Sequence, residues 1–186
     1  NNITWVKTAP PPNLSCRFFT HSTETILWIR KGKKTKHYFN YDVIVGDIKH
    51  SRVARSNIKA FTMLGASVTL AAPPTLLPPS MTNWPVDVIM DLDVALKEAD
   101  VLYLLRMQLE RQEESLVPSL REYTNFYGLT TERSRKLQKS SIIMHPGPMN
   151  RGVEISGDVP ELPNTVITNQ VENGVVVRMA VLYHLL

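Results

Sequence analysis

The stretch His145-Pro146-Gly147-Pro148-Met149-Asn150-Arg151-Gly152-Val153-Glu154 carries the strongest sign of chemistry in this chain. Two prolines flank one glycine, so the backbone is stiff on either side and open in the middle. The stretch follows Ser141-Ile142-Ile143-Met144, an apolar run that reads as a buried strand. A loop at the carboxyl end of a strand suits close backbone approach to a small ligand, and open α/β sheets bind ligands beyond those ends. Two further predicted strand ends carry polar groups: Lys49, His50, Ser51 and Arg52 after one, Arg106 and Gln108 after another. Arg106 closes the apolar run Val101–Leu105, an unusual place for a guanidinium. Arginine grips carboxylates in a bidentate fork, so two arginines converging on one crevice suit a ligand with two carboxylates. Either arginine alone fits a structural ion pair at the end of an element equally well. Their common position at carboxyl ends of strands favours the ligand.

Other polar residues have plainer readings. His145 either takes part in catalysis or is a half-buried histidine that orients its loop. His50 reads as exposed. Asp47 and Asp100 read as turn or cap residues rather than a paired acid and base. No His or Cys cluster has ligand spacing, so no metal is expected. No Gly-x-Ser-x-Gly elbow occurs, which disfavours a serine nucleophile. Gly46-Asp47-Ile48-Lys49-His50-Ser51 does not fit the Gly-x-Gly-x-x-Gly fingerprint, which disfavours a dinucleotide.

The elements that must position these groups alternate. Tyr41–Asp47 reads as a buried strand, Val53–Leu64 as a helix stopped by Gly65, and Ser67–Ala72 as a second strand. They make one right-handed parallel β-α-β unit. Residues 75–90 read as a proline-rich loop, Asp91–Ala99 as an amphipathic helix with Leu92, Ala95, Leu96 and Ala99 on one face, and Asp100–Leu105 as a third strand. Residues 107–128 read as an exposed loop with some helix. Thr130 or Thr131 caps a helix to about Lys139, and 141–144 is the fourth strand. Thr165-Val166-Ile167 is a possible fifth strand, and Val175–Leu186 a terminal apolar helix. Residues 1–40 are poorly patterned, with a possible helix or strand around Thr25–Ile29. The expected fold is α/β: a doubly wound, Rossmann-like parallel sheet in one domain plus that N-terminal segment.

Composition bounds the rest. The 186 residues, 43% hydrophobic and 20% charged, are ordinary for a soluble globular protein. No run approaches the ~18 apolar residues of a membrane span. Cys16 is the only cysteine, so no intrachain disulfide forms and a reducing, cytoplasmic setting is expected. The net charge of +4 is local: setting aside Arg30, Lys31, Lys33, Lys34 and Lys36 turns it to −1. That run reads as a solvated charged face rather than a nucleic-acid arm, and aromatic residues do not interleave with basic ones elsewhere.

At these residues the chain resembles the carboxyl-terminal, aspartate-binding half of aspartate carbamoyltransferase catalytic chains. The matching segments are Gly46–Asn57, Leu104–Arg111, Tyr127–Thr130, His145–Ile155 and Asn173–Leu182, in the family's order. The ornithine enzyme's His-Cys-Leu-Pro and Ser-Met-Gly motifs are not present. The resemblance implies the joining of L-aspartate to carbamoyl phosphate, giving N-carbamoyl-L-aspartate and phosphate in pyrimidine synthesis, with no cofactor. It also implies a homotrimer for the full-length family. Arg52 and Arg106 would hold the aspartate carboxylates with Gln108 assisting, and the Gly147 and Pro148 backbone would contact the carbamoyl group. Catalysis of this kind is mostly positioning, worth ~7–11 kcal/mol.

Two departures qualify the resemblance. The family's His-Pro-Thr-Gln hinge motif has its best counterpart in His21-Ser22-Thr23-Glu24, where His21 would donate to the carbamoyl carbonyl. Glu24 in place of Gln removes an amide donor and adds negative charge beside an anionic substrate. The phosphate-binding half, with its Ser-Thr-Arg-Thr loop, and the lysine loop lent by a neighbouring subunit are absent from these 186 residues. The expected organisation is therefore a remnant or altered hinge over 1–40, an aspartate-binding domain over 41–173, and a helix over 174–186 that packs on the missing carbamoyl-phosphate domain. The chain alone is expected to be inactive. The alternative is a non-catalytic amino-acid or dicarboxylate-binding module, or an ornithine carbamoyltransferase-like domain.

Overall fold

The computed structural model of the protein describes residues 2–6, 23–27, 41–109 and 116–186, the first two segments by their backbone. The chain divides into two compact units, Asn1–His37 with Gly174–Leu186, and Tyr38–Asn173. In the first unit, strands β1 (Asn2–Val6) and β2 (Thr23–Leu27) pair antiparallel, Asn2 opposite Leu27. The basic run 30–37 lies outside the described residues.

The second unit is built on β3 (Tyr41–Val45), α1 (Arg52–Met63), β4 (Ser67–Ala71), β5 (Asp87–Ile89), α2 (Leu92–Ala95), β6 (Val101–Leu104), α3 (Leu120–Tyr127), α4 (Thr131–Ser134) and β7 (Ile142–Met144). Helix α5 (Ile167–Leu185) follows. The five strands are parallel in the order β5-β4-β3-β6-β7. Winding runs outward from β3 to β5, then returns to β3's other side for β6 and β7. The order therefore reverses between β3 and β6. The doubly wound α/β expectation holds.

The central strands explain themselves. Val43, Ile44 and Val45 of β3 and all four residues of β6 are buried, as strands covered on both faces must be. Helix α1 turns Ala54, Ile58 and Ala60 inward. Ser51 caps it by accepting the Ala54 N–H, and it ends at Leu64 before Gly65, whose φ of +88° only glycine adopts cheaply. Leu92, Ala95, Leu96 and Ala99 are all buried.

Several boundaries differ from the sequence reading. The proline-rich segment 75–90 contains the edge strand β5, three residues long and too short to show a period. The helix expected over Asp91–Ala99 shrinks to Leu92–Ala95, with Asp91 accepting the Asp93 N–H. The one expected to Lys139 stops at Ser134, with Thr130 as its cap. Thr165–Ile167 is no strand; Thr165 makes a single bridge to Ile143, and α5 starts at Ile167. Gly174 does not break that helix, because one interior glycine costs only ~1 kcal/mol.

Two consequences follow from burial. Asp42 is buried on β3 with Oδ1 lacking a hydrogen bond. Burial, then the nearby Asp100 charge, raises its pKa to about 6. A carboxyl held neutral by the fold destabilises it as pH rises from ~4 through about 6. The Tm gain of Asp42→Asn over the parent should therefore grow from pH 4 and level off above pH 6.5. A gain independent of pH would contradict this. Helix α5 leaves Val175, Val176, Met179, Leu182, Leu185 and Leu186 exposed. Apolar surface of this kind drives association. Sedimentation should give a mass above the 21.1 kDa of one chain, with dye binding to apolar surface. A clean monomer without dye binding would contradict it.

Candidate functional site

Three of the polar strand ends meet at the reversal in strand order. Arg52, Arg106, Gln108 and the Pro146-Gly147-Pro148 loop line one cleft of about 230 Å³, together with Ser51. They arrive from the carboxyl ends of β3, β6 and β7, where open α/β sheets bind ligands. The cleft also receives the amino end of α1, whose dipole and unpaired N–H groups favour an anion. Arg52 is the first residue of that helix and is exposed, and its guanidinium has no ion-pair partner among the described residues. Arg106 and Gln108 are half-buried on either side of the buried Met107. Among the described residues, no three His, Cys, Asp or Glu side chains cluster as metal ligands.

Gly46 sets the distance between the first two strand ends. It has φ +122°, and a Cβ there would stand 2.9 Å from the Leu105 carbonyl oxygen and 3.2 Å from the Tyr123 hydroxyl. Asp47 follows, fully buried, and accepts both the backbone N–H of His50 (3.1 Å) and its ring Nδ1 (2.9 Å). It is a turn residue, as expected. His50 is partly buried against it, not exposed as read from the sequence.

The third wall hangs on His145, which is 0% exposed rather than half-buried. Its Nδ1 accepts the Gly147 N–H at 2.9 Å, so the ring proton sits on Nε2, 3.3 Å from Glu154 Oε1. Its own backbone N–H donates to Gln170 Oε1, and Gln170 Nε2 donates to the Tyr103 hydroxyl at 2.8 Å. Burial raises the Tyr103 pKa, partly offset by hydrogen bonds with Asn57 and Gln170. Gly147 has φ +63°, and its peptide to Pro148 is cis.

The structure thus brings Arg52, Arg106, Gln108, Gly147 and Pro148 together. His21 lies outside the described residues, and Glu24 belongs to β2 in the other unit. Sequence reasoning missed the supporting residues Asn150, Glu154, Gln170 and Tyr103. Glu154 alone left a trace, a carboxylate set between the apolar Val153 and Ile155.

Fold and cleft define a doubly wound α/β domain with a cleft lined by two arginines at its topological switch point. The family described as "Aspartate/ornithine carbamoyltransferase, Asp/Orn binding domain" matches over residues 42–185. The chain is 55% identical over 144 residues to the aspartate carbamoyltransferase catalytic subunit of Desulfitobacterium hafniense, covering 77% of this chain and 46% of that one. Aspartate transcarbamoylase from Trypanosoma cruzi, solved in complex with carbamoyl phosphate, superposes with a TM-score of 0.66 at 26% identity, over 78% of this chain and 50% of that one. Ornithine carbamoyltransferase from Pyrococcus furiosus gives 0.59 at 27% identity, over 73% and 46%. The chain belongs to the aspartate/ornithine carbamoyltransferase family, through its Asp/Orn binding domain. It spans about half the length of the curated relatives it matches.

Gly46→Ala tests the spacing of the cleft. Backbone strain alone should cost about 1–3 kcal/mol, and the contact with the Leu105 carbonyl should push Arg106 outward. A variant with parental Tm would contradict the close approach of β3 and β6.

Proposed function

We propose that this chain is the aspartate-binding half of an aspartate carbamoyltransferase catalytic chain. The observation that carries this reading is the single cleft shared by Arg52, Arg106, Gln108 and the Pro146-Gly147-Pro148 loop. Two guanidiniums at one crevice match the two carboxylates of L-aspartate, each held in a fork, while the Gln108 amide adds a further polar contact. Pro148 has no N–H, so the loop's polar offering at Gly147 and Pro148 is chiefly carbonyl oxygen. Those carbonyls accept hydrogen bonds from the carbamoyl NH2 or from the aspartate amine, bringing the two together.

In the reaction, the amine nitrogen of aspartate attacks the carbamoyl carbon. A C–N bond forms, the C–O bond to phosphate breaks, phosphate leaves with the electron pair, and the proton that the amine loses passes to the departing phosphate. The chain's contribution is orientation of the dicarboxylate and its amine, the effect worth ~7–11 kcal/mol when complete. His21 is the donor to the carbamoyl oxygen in this reading, with Glu24 in place of the family's glutamine. The full assembly is a cytoplasmic homotrimer, and the helix over 174–186 packs on a carbamoyl-phosphate domain. The 55% identity to a subunit named for aspartate supports this substrate over ornithine.

Calorimetry on residues 1–186 should show millimolar or tighter binding of succinate and aspartate, weakened about thirtyfold by Arg106→Ala, as expected for loss of ~2 kcal/mol of charged hydrogen bonding. The same preparation should form little or no carbamoyl-aspartate. Absence of binding, preference for ornithine, or robust turnover by the chain alone would contradict the proposal.

A further inference from the structure

Glu154 is 1% exposed. Oε1 accepts two hydrogen bonds, from the Asn150 N–H at 2.6 Å and from His145 Nε2 at 3.3 Å. Oε2 is buried with no hydrogen-bond partner among the described residues. A carboxylate placed this way costs stability, because a buried polar atom left unpaired has lost its hydration without compensation. Its two bonds lead to opposite walls of the cleft. Through His145 it fixes the ring tautomer whose Nδ1 receives the Gly147 N–H at 2.9 Å. Through Asn150, whose Nδ2 donates to the Met107 carbonyl at 3.0 Å, it holds the backbone between Arg106 and Gln108.

We propose that Glu154 is a positioning residue of the cleft, joining the Pro146-Gly147-Pro148 loop to the Arg106–Gln108 segment through His145 and Asn150. The ring explains why an acceptor is needed at that place. With Nε2 facing a hydrogen-bond acceptor, the proton stays on Nε2 and Nδ1 keeps its lone pair for Gly147. Without the acceptor, a proton on Nδ1 would face the Gly147 N–H, and the loop would lose its anchor. Glutamine in place of Glu154 still offers one oxygen to both donors. Alanine offers none.

The binding arm of the test rests on the dicarboxylate reading of the cleft; the spectroscopic arm does not. Residues 1–186 labelled with 15N should show His145 Nδ1 unprotonated and Nε2 protonated at pH 8, with a coupling across the Gly147 N–H to Nδ1 hydrogen bond. Glu154→Gln should retain both signatures, and Glu154→Ala should lose the coupling and mix the tautomers. Succinate affinity should fall tenfold or more in Glu154→Ala and be restored in Glu154→Gln. Leu92→Ala, in the core on α2, controls for general destabilisation. It should lower Tm and leave succinate affinity unchanged. Parental coupling in Glu154→Ala, or a parental affinity for succinate in that variant, would overturn the proposal. If the parent binds no succinate, the cleft reading fails by itself, and the tautomer and coupling still decide the role of Glu154.

Discussion

The parallel pairing of β3 with β6 governs everything that follows. Val45 lies opposite Leu104, and the Leu105 N–H donates to the Val45 carbonyl at 2.8 Å. The chain reaches this pairing only after winding outward through β4 and β5, so the crossovers diverge and a crevice opens above the two strand ends. Register matters as much as order. A slip of one residue would exchange the faces of β6 and reverse the direction in which Arg106 projects. Gly46 permits the pairing to persist beyond the strands, since any side chain there would strike the Leu105 carbonyl.

The walls of the crevice follow different physical rules. Arg52 is exposed and Arg106 half-buried, so water and a ligand can both reach them. The Pro146-Gly147-Pro148 loop is held from below by a polar network of His145, Glu154, Asn150 and Gln170, in which His145 and Glu154 are buried. Tyr123 sits beside that network with a buried hydroxyl lacking a hydrogen bond. Burial, then the charges of Glu154 and Asp47, drives its pKa well above the ordinary tyrosine value. Low dielectric makes such contacts strong and makes missing ones costly, so the loop has one favoured arrangement.

The fold was largely legible because its strands are buried on both faces and bounded by strong punctuation. Val43-Ile44-Val45 before Gly46, and Val101–Leu105 before Arg106, announce themselves as apolar runs with polar ends. Arg106 was legible for the same reason, as the first polar group after such a run, and Arg52, Gln108 and the Pro146-Gly147-Pro148 loop follow within a few residues of theirs. Short elements were legible only in part: β5, with three residues, was missed, and α4, with four, was placed by its cap but drawn too long, because no period exists at such lengths. The start of α5 was misplaced because Asn173-Gly174 imitates a turn. The full burial of His145 and its contact with Glu154 were legible only in outline, as a half-buried histidine and a carboxylate between two apolar residues. Both depend on a contact nine residues apart within an irregular loop, and no pattern of local hydrophobicity encodes it.

The central claim is that the two arginines and the loop form one site for a dicarboxylate. It is tested most directly by titrating succinate into 15N-labelled chain and following the Arg52 and Arg106 Nε–H signals with the Gly147 amide. The account predicts that all three shift together along a single saturation curve. Signals that stay still, or that follow separate curves of different midpoint, would contradict it.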